Sequence, residues 1–481
     1  MTSGGRLGLV AVAALLTAGC ELAPAYTPPQ LALPATFKEG DRLRAAQPSD
    51  QMPRGLWWTA FKDRTLDTLE PQVDDANQTL GVAFANYQLA QTQVAHAQAG
   101  LYPTLDQVSQ FTTNRQSDHR TYRGPLPDNE PDHYGDNRLA VQSSYEVDLW
   151  GRVRDTIKAN QFDAESQKAL LENVRLSLHA QLAHYYVSLR GLDRDLRLLQ
   201  DTTKTYRDAL TLTENRYEGK IASPMDVERA KAELQTAQAL TDEDLARRAI
   251  LEHAIATLVG KPASSFSIPQ APTALTPPRG PTVAPSSLLE RRPDIAAAER
   301  QVAAANEGIG IAKTAYYPRF FLNLYFGTED RGVHLLDLAN ELYTIGPSIT
   351  IPIFDGGARD ADLRAAYARR DQTIAQYRQT ILQAVQEVED SLAVQYHLSR
   401  EGKKIDAAVT AEKKVLDLSL TLYRDGATAY LDVVTAQQAL LAQQRTTLAL
   451  LTRRLDAAVS LFVALGGDWT VAEKAAANKP S

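Results

Sequence analysis

The stretch that most constrains this chain is Leu422–Leu440, LYRDGATAYLDVVTAQQAL. It reads as a helix ending, a break at Gly426 and a second helix starting. Arg216–Leu234, RYEGKIASPMDVERAKAEL, is an earlier copy of it. Tyr217 and Tyr423, Asp226 and Asp432, Val227 and Val433, Ala230 and Ala436, and Leu234 and Leu440 all stand 206 positions apart. Arg247-Arg248 with Arg453-Arg454, and Gly260 with Gly466, continue the register, whereas the turn glycines, Gly219 and Gly426, slip by one from it. A fixed offset held over such a distance is an internal duplication. Two long helical hairpins, each turning at this element, therefore set the shape of the molecule.

The helices flanking the turns are very long. Residues 152–217 carry no proline, and Leu178, Leu182, Tyr185, Leu189, Leu192, Leu196 and Leu199 form a seam stepping by four and three. More than sixty residues at ~1.5 Å each span roughly 100 Å, which a compact domain does not need. The return helix has a seam of smaller residues, Val227, Ala230, Leu234 and Ala237. A second long helix is expected over 358–424, with Ile374, Tyr377, Ile381, Ala384 and Val388 on its seam. Its return carries Leu448, Leu451, Leu455, Ala458, Phe462 and Leu465.

Ahead of each hairpin comes a helix, a strand, a polar loop and a strand. The first half has a helix over 74–99, a strand over 104–112, a loop over 114–137 and a strand over 138–150. In that last strand Leu139, Val141, Tyr145, Val147 and Leu149 alternate with Ala140, Gln142, Ser144, Glu146 and Asp148. This alternation fits half of a soluble sandwich, or a barrel strand with lipid outside and water inside. The second half repeats the order, with strands over 319–327 and 343–354. Four strands cannot close a membrane barrel, whose smallest examples need about eight. Strands placed in a membrane would require chains to associate, eight strands from two chains or twelve from three.

The expected organisation is a signal peptide over 1–19, a tether over 20–56, a first repeat over 57–260, a proline-rich linker over 261–290, a second repeat over 291–467 and a tail over 468–481. The one cysteine, Cys20, follows Arg6 and the apolar run from Leu7 to Leu16, which is a signal-peptide layout. The segment Leu16-Thr17-Ala18-Gly19-Cys20 resembles a bacterial lipobox, although Thr17 stands where such motifs prefer leucine; lipid on Cys20 would tie the chain to a membrane. A lone cysteine excludes a disulfide framework and a cysteine zinc site. A net charge of −7 argues against nucleic-acid binding. His179 and His184 do not make a zincin pair, and there is no GxSxG, phosphate loop or Cys/His cluster. The chain reads as non-enzymatic, with no metal and no cofactor beyond the lipid.

Several motifs in order along nearly the whole chain carry a resemblance: Trp57-Trp58 with Phe61 and Leu66, YEVDLWGR (Tyr145–Arg152), RRPDIAAAERQVAAANEGIGIAKTAYYPR (Arg291–Arg319), IPIFDGG (Ile351–Gly357) and Tyr423–Gln437. With them the chain resembles a TolC-like outer membrane factor of the lipoprotein branch (OprM/NodT-type) that serves resistance-nodulation-division efflux pumps. The resemblance implies an α+β membrane protein, a homotrimer with a 12-stranded outer-membrane β-barrel continued by a periplasmic α-helical barrel. It implies a periplasmic adaptor (membrane fusion) protein and an inner-membrane transporter as partners, and outer membrane lipid around the barrel. The duct of a type I protein secretion system is the alternative within this architecture; a lipid-anchored coiled-coil scaffold without a pore is the alternative outside it.

The resemblance also implies a gate at the helical tips. Its candidates here are Tyr423, Arg424, Asp425 and Asp432, with Tyr217 and Glu218 on the other hairpin, and Gly219 and Gly426 as the tip turns. Members of this family often carry an acid where this chain has Thr428, which leaves Asp425 to supply any acidic constriction. Asp425 and Glu218 read equally as solvated helix-end charges, and Asp432 as a first-turn residue. Gln142, Ser144, Glu146 and Asp148 are the expected barrel lumen, with Tyr145 and Phe320 toward lipid.

Overall fold

The computed structural model describes residues 21–34, 36–39, 56–115, 117, 133–272, 275–278, 292–332 and 334–467. The expected signal peptide, Cys20, most of the loop over 114–137 and the tail over 468–481 lie outside the described residues.

A 3-10 turn, Trp57–Phe61, precedes α1 (Arg64–Ala76) and α2 (Gln78–Ala99). Then come β1 (Thr104–Arg115), β2 (His133–Val147), α3 (Arg152–Glu218), α4 (Pro224–Leu258), α5 (Pro293–Thr314), β3 (Arg319–Asp330), β4 (Glu341–Thr350), α6 (Ala358–Arg424) and α7 (Tyr430–Ala464). The duplication is stricter in space than in sequence. Helices α3 and α6 have 67 residues each, and α4 and α7 have 35 each. Each pair keeps the 206-residue offset from first residue to last. The pairs α2/α5 and β1/β3 match at an offset of 215, so the second copy is nine residues shorter between its first strand and its long helix.

The helix expected over 74–99 is two helices. Asn77 breaks it: its side chain donates to Leu258 O at 2.9 Å and accepts from Leu80 N at 3.1 Å, capping α2. The expected loop is also shorter. Thr113–Arg115 pair with His133–Gly135, because backbone pairing continues through polar residues that alternation alone does not mark. At the other end β2 stops at Val147 and β4 at Thr350, earlier than expected. Pro352, lacking an N–H, cannot extend that ladder.

The chain forms two compact units. Among the described residues, the first takes those within 21–29, 87–166 and 298–376, and the second those within 30–86, 167–297 and 377–467. The first holds an antiparallel sheet in the order β1-β2-β3-β4. Its register puts Leu139, Val141, Tyr145 and Val147 on one face with Phe320, Leu322, Leu324, Phe326, Tyr343, Ile345 and Ile349. That face lies open: Leu322 is 48% exposed, Phe326 51% and Ile345 66%. A sandwich would bury it under a second sheet, so the sandwich alternative falls. The opposite face carries Gln142, Ser144, Asn323 and Tyr325. Strands β1 and β4 are both edges, each with a row of unpaired backbone groups that only a further strand satisfies in lipid.

The second unit is helical. Leu182, Leu189, Leu196 and Leu199 of the predicted α3 seam are fully buried or nearly so. Tyr186 replaces Tyr185 on the buried stripe, its hydroxyl donating to Asp63 at 2.6 Å. Val227, Ala230, Leu234 and Ala237 of α4, and Tyr377, Ile381, Ala384 and Val388 of α6, are buried as their seams require. Helix α3 approaches α7 so closely at Gly191 that a Cβ there would collide with Thr452 Oγ1.

Candidate functional site

The four helix ends of the tips lie in the second unit. Each long helix ends in the same hydrogen-bonded turn. Gly426 N donates to Tyr423 O at 3.1 Å and Ala427 N to Leu422 O at 2.8 Å. In the first copy Lys220 N donates to Tyr217 O at 2.9 Å and Ile221 N to Arg216 O at 2.8 Å. These are the paired bonds of a Schellman ending. The left-handed residue is Gly426 (φ 75°) in one copy and Lys220 (φ 58°) in the other. Gly219 lies in the turn as expected, but the left-handed position falls one residue later, at Lys220. Lys220 and Gly426 stand 206 positions apart, so the slip vanishes: the first copy carries lysine where the backbone favours glycine, at ~1 kcal/mol of strain.

The helix starts differ as well. Ser223 caps α4 in a reciprocal box with Asp226, Asp226 N donating to Ser223 Oγ at 3.2 Å and Ser223 N to Asp226 Oδ2 at 3.1 Å. In the second copy Ala429 occupies the cap position and offers no side chain, and exposed Asp432 accepts from the Thr428 hydroxyl instead. Asp432 thus works as a first-turn acid. Ala429→Ser should stabilise the start of α7 by about 1 kcal/mol, and Ser223→Ala should weaken α4 by as much. Amide hydrogen exchange of the two tips reads both changes.

The gate candidates do not share one environment. Tyr217, Glu218, Arg424, Asp425 and Asp432 are exposed. Tyr423 is buried within the chain, packed with Tyr430, Ala230, Val433 and Val434. The Tyr423 and Tyr430 rings lie 5.2 Å apart, and burial pushes the Tyr430 hydroxyl up to about 12. The decisive contact is one the sequence did not single out. Arg216, at the end of α3, holds its guanidinium 4.7 Å from the centroid of the Tyr423 ring. Its Nη1 also donates to Arg424 O at 3.1 Å, capping the C-terminus of α6. The equivalent position in the second copy is Leu422, so this link between the two hairpins has no mirror. Tyr423 Oη and Arg216 Nε are buried without a hydrogen-bond partner, polar groups that are costly to hold in place. Leu422 and Leu431 stay exposed at the second tip, and Tyr217, Ile221 and Met225 at the first.

The expected lumen residues divide into two groups. Gln142 and Ser144 stand on the polar face, where Ser144 Oγ and Asn323 Oδ1 lie 2.9 Å apart and Asn323 Nδ2 donates to Ser348 Oγ at 2.9 Å. Glu146 and Asp148 are not free lumen acids. Glu146 accepts from Arg152 at 2.8 and 2.6 Å and from Arg319 at 2.8 Å. Asp148 lies past the end of β2 and accepts from Arg154 N at 3.0 Å and Nε at 3.2 Å. The start of α3 supplies Arg152 and Arg154 and the start of β3 supplies Arg319, and strand alternation could not reveal these pairings.

Away from the tips, Arg445 of α7 joins Asp195 of α3 (2.8 Å) and Asp244 of α4 (3.1 Å). Burial, with Asp195 beside it, holds the Asp244 carboxyl above the usual carboxylate range.

The chain matches the family described as Outer membrane efflux protein over residues 71–261 and 284–467. It belongs to that family. It is 30% identical to the outer membrane protein OprJ of Pseudomonas aeruginosa over 96% of either chain. It is 28% identical to the cation efflux system protein CusC of Escherichia coli O6:H1, covering 95% of this chain and 97% of that one. The solved outer-membrane channel OprN superposes with a TM-score of 0.84 at 26% identity, over 94% of this chain and 100% of that one. The fold is that of the family's trimeric channels, in which three four-stranded sheets supply twelve strands. The protein is an outer-membrane efflux channel and not an enzyme; neither the pore-free scaffold nor the type I secretion duct is favoured.

Proposed function

We propose that this channel is the exit duct of a resistance-nodulation-division pump, closed at its hairpin tips by the second repeat and steadied there by the first. One observation carries the reading: Arg216 crosses from the first hairpin to stack on Tyr423 and cap the carbonyl of Arg424. In a homotrimer three such links join the six tips in three pairs, and the exposed Asp425 side chains form the acidic rim of the mouth. A ring of like charges repels itself, so protonation or a divalent cation favours closure. The apolar residues left exposed at the tips, Leu422, Leu431, Ile221 and Met225, suit the adaptor's end-on contact.

The lipidated Cys20 and the trimer hold the duct in the outer membrane, and the proline-rich segment after Cys20 serves as the tether. The exported compounds are drugs or other small toxic molecules. The similarity to CusC, named for cation efflux, extends the class to metal ions. The six segments expected from the sequence, from signal peptide to tail, remain the working division of the chain.

Asp425→Ala should abolish block by millimolar divalent cations in planar-bilayer recordings while the trimer still inserts. Unchanged block would remove Asp425 from the gate.

A further inference from the structure

The clearest unexplained feature lies in the first unit, where three carboxylates converge. Glu21 comes from the N-terminal segment, Asp155 from the first turn of α3 and Glu307 from α5. One oxygen of each lies within 4.8 Å of the others. Asp155 is 1% exposed and Glu307 5% exposed. Asp155 Oδ2 and Glu307 Oε2 are both buried without a hydrogen-bond partner. A buried carboxylate oxygen without a donor is expensive, and two side by side are more so.

Close packing of α5 against α3 and the N-terminal segment brings the cluster together. Gly310 of α5 faces it, and a Cβ there would collide with Asp155 Oδ2 and press on Ala23. The N-terminal segment is tied down around it: Lys313 Nζ donates to Leu22 O at 3.2 Å, Asn306 Nδ2 donates to Pro24 O at 2.7 Å, and Tyr26 Oη donates to Glu299. Among the described residues, the cation paired into the cluster is Lys158, which bonds Glu21. Three carboxylates against one ammonium leave two negative charges uncompensated, and nearby Asp148 is already matched by Arg154.

We propose that Glu21, Asp155 and Glu307 form a calcium site that locks the N-terminal segment onto α3 and α5. Calcium takes oxygen ligands at about 2.3–2.6 Å, so oxygens on opposite sides of one ion stand up to about 5 Å apart, which matches this cluster. Magnesium, at about 2.1 Å, requires a tighter set. The ion supplies the missing partner to both buried oxygens and cancels the two charges. Its role is to fasten the residue immediately after Cys20 to the helices. The site stands independently of the gate and of the lipid.

Protons compete for the same oxygens. Burial pushes Asp155 up to about 6 and raises Glu307 as well, with Lys158 opposing and Glu21 reinforcing both shifts. Among the described residues, the charged groups facing the site are Asp148 before α3, Lys158 within it, and Glu21 itself.

The test is isothermal titration of calcium chloride into the full-length detergent-solubilised trimer after chelator treatment. Asp425→Ala serves as the background, to silence the tips. One saturable event per protomer is expected, with weaker affinity for magnesium. Glu307→Gln should weaken it at least tenfold. Glu21→Gln, which changes only an exposed carboxylate and leaves the buried packing intact, should weaken it less and speed proteolysis near residues 21–34. No saturable calcium uptake, or uptake that Glu307→Gln and Glu21→Gln both leave unchanged, would overturn the proposal. A Glu307→Gln protein that melts higher than its parent with no calcium uptake by the parent would identify a shared-proton pair instead.

Discussion

Arg216→Ala should leave the trimer assembled and its duct open far more of the time. The substitution removes a guanidinium stacked on a buried tyrosine ring and a charged cap on a helix carbonyl. Together these contribute about 1.5 kcal/mol in each protomer. In a concerted trimer the three add to about 4–5 kcal/mol, roughly three orders of magnitude in the open-to-closed ratio. Planar-bilayer recordings should show a large rise in open time, and cells should become sensitive to bulky antibiotics that the closed duct excludes. Arg216→Lys should recover only part of the closure, because an ammonium neither stacks like a planar guanidinium nor reaches the ring and the carbonyl together. Tyr423→Leu keeps the apolar packing but loses the cation–π half, and should fall between the two. Open times unchanged in Arg216→Ala would separate the tip link from gating.

Loss of Arg445 should cost the helical unit about 3 kcal/mol. Its guanidinium is the counter-charge for Asp195 and for Asp244, whose side chain is fully buried. Arg445→Ala leaves both acids with only Arg247, 3.6 Å from Asp244, as counter-charge, and breaking a buried pair from one side costs about 3–5 kcal/mol, toward the lower end where arginine is partly exposed. The pH dependence follows from the raised Asp244 carboxyl. A carboxyl raised in the folded state is no burden below its unfolded value near 4. It destabilises as pH climbs through the folded value, where the buried acid must ionise. Wild type should thus lose part of its stability over that acid range. Arg445→Ala should extend the loss upward toward neutrality and melt closest to wild type at low pH. Asp244→Asn on the Arg445→Ala background should restore most of the deficit, as a double-mutant cycle of melting curves would show. A deficit independent of pH would mean that packing, and not charge, is what Arg445 provides.

Much of the architecture is legible one residue at a time. The 206-residue offset, the leucine seam of α3 and the small-residue seam of α4 mark two hairpins, because helix packing demands apolar residues at helical spacing. The alternation from Leu139 to Val147 marks a strand with one apolar face. That four strands leave two edges is arithmetic, and it already requires other chains. The helix bounds at 358–424 match the expectation because a glycine pair and Gly426 punctuate them.

Other features depend on partners that only the fold brings into contact. Asn77 splits a run that propensity alone reads as one helix, through a bond to Leu258 O. Glu146 and Asp148 look like lumen acids until the arginines at the start of α3 fold back onto them. Tyr217 and Tyr423 are equivalent in the duplication, yet one is exposed and the other buried, because only Tyr423 has Arg216 and Tyr430 against it. Lys220 is the one missed residue with an available signal: holding the offset strictly places it under Gly426. The sequence by itself determined the periodic and repeated features, since spacing along one chain encodes which face of an element is apolar. Tertiary structure alone decided which charges are paired, which tyrosine is buried and where carboxylates from three segments meet, because those energies depend on which neighbours the fold brings together, from six residues away for Glu146 and Arg152 to 250 for Asp195 and Arg445.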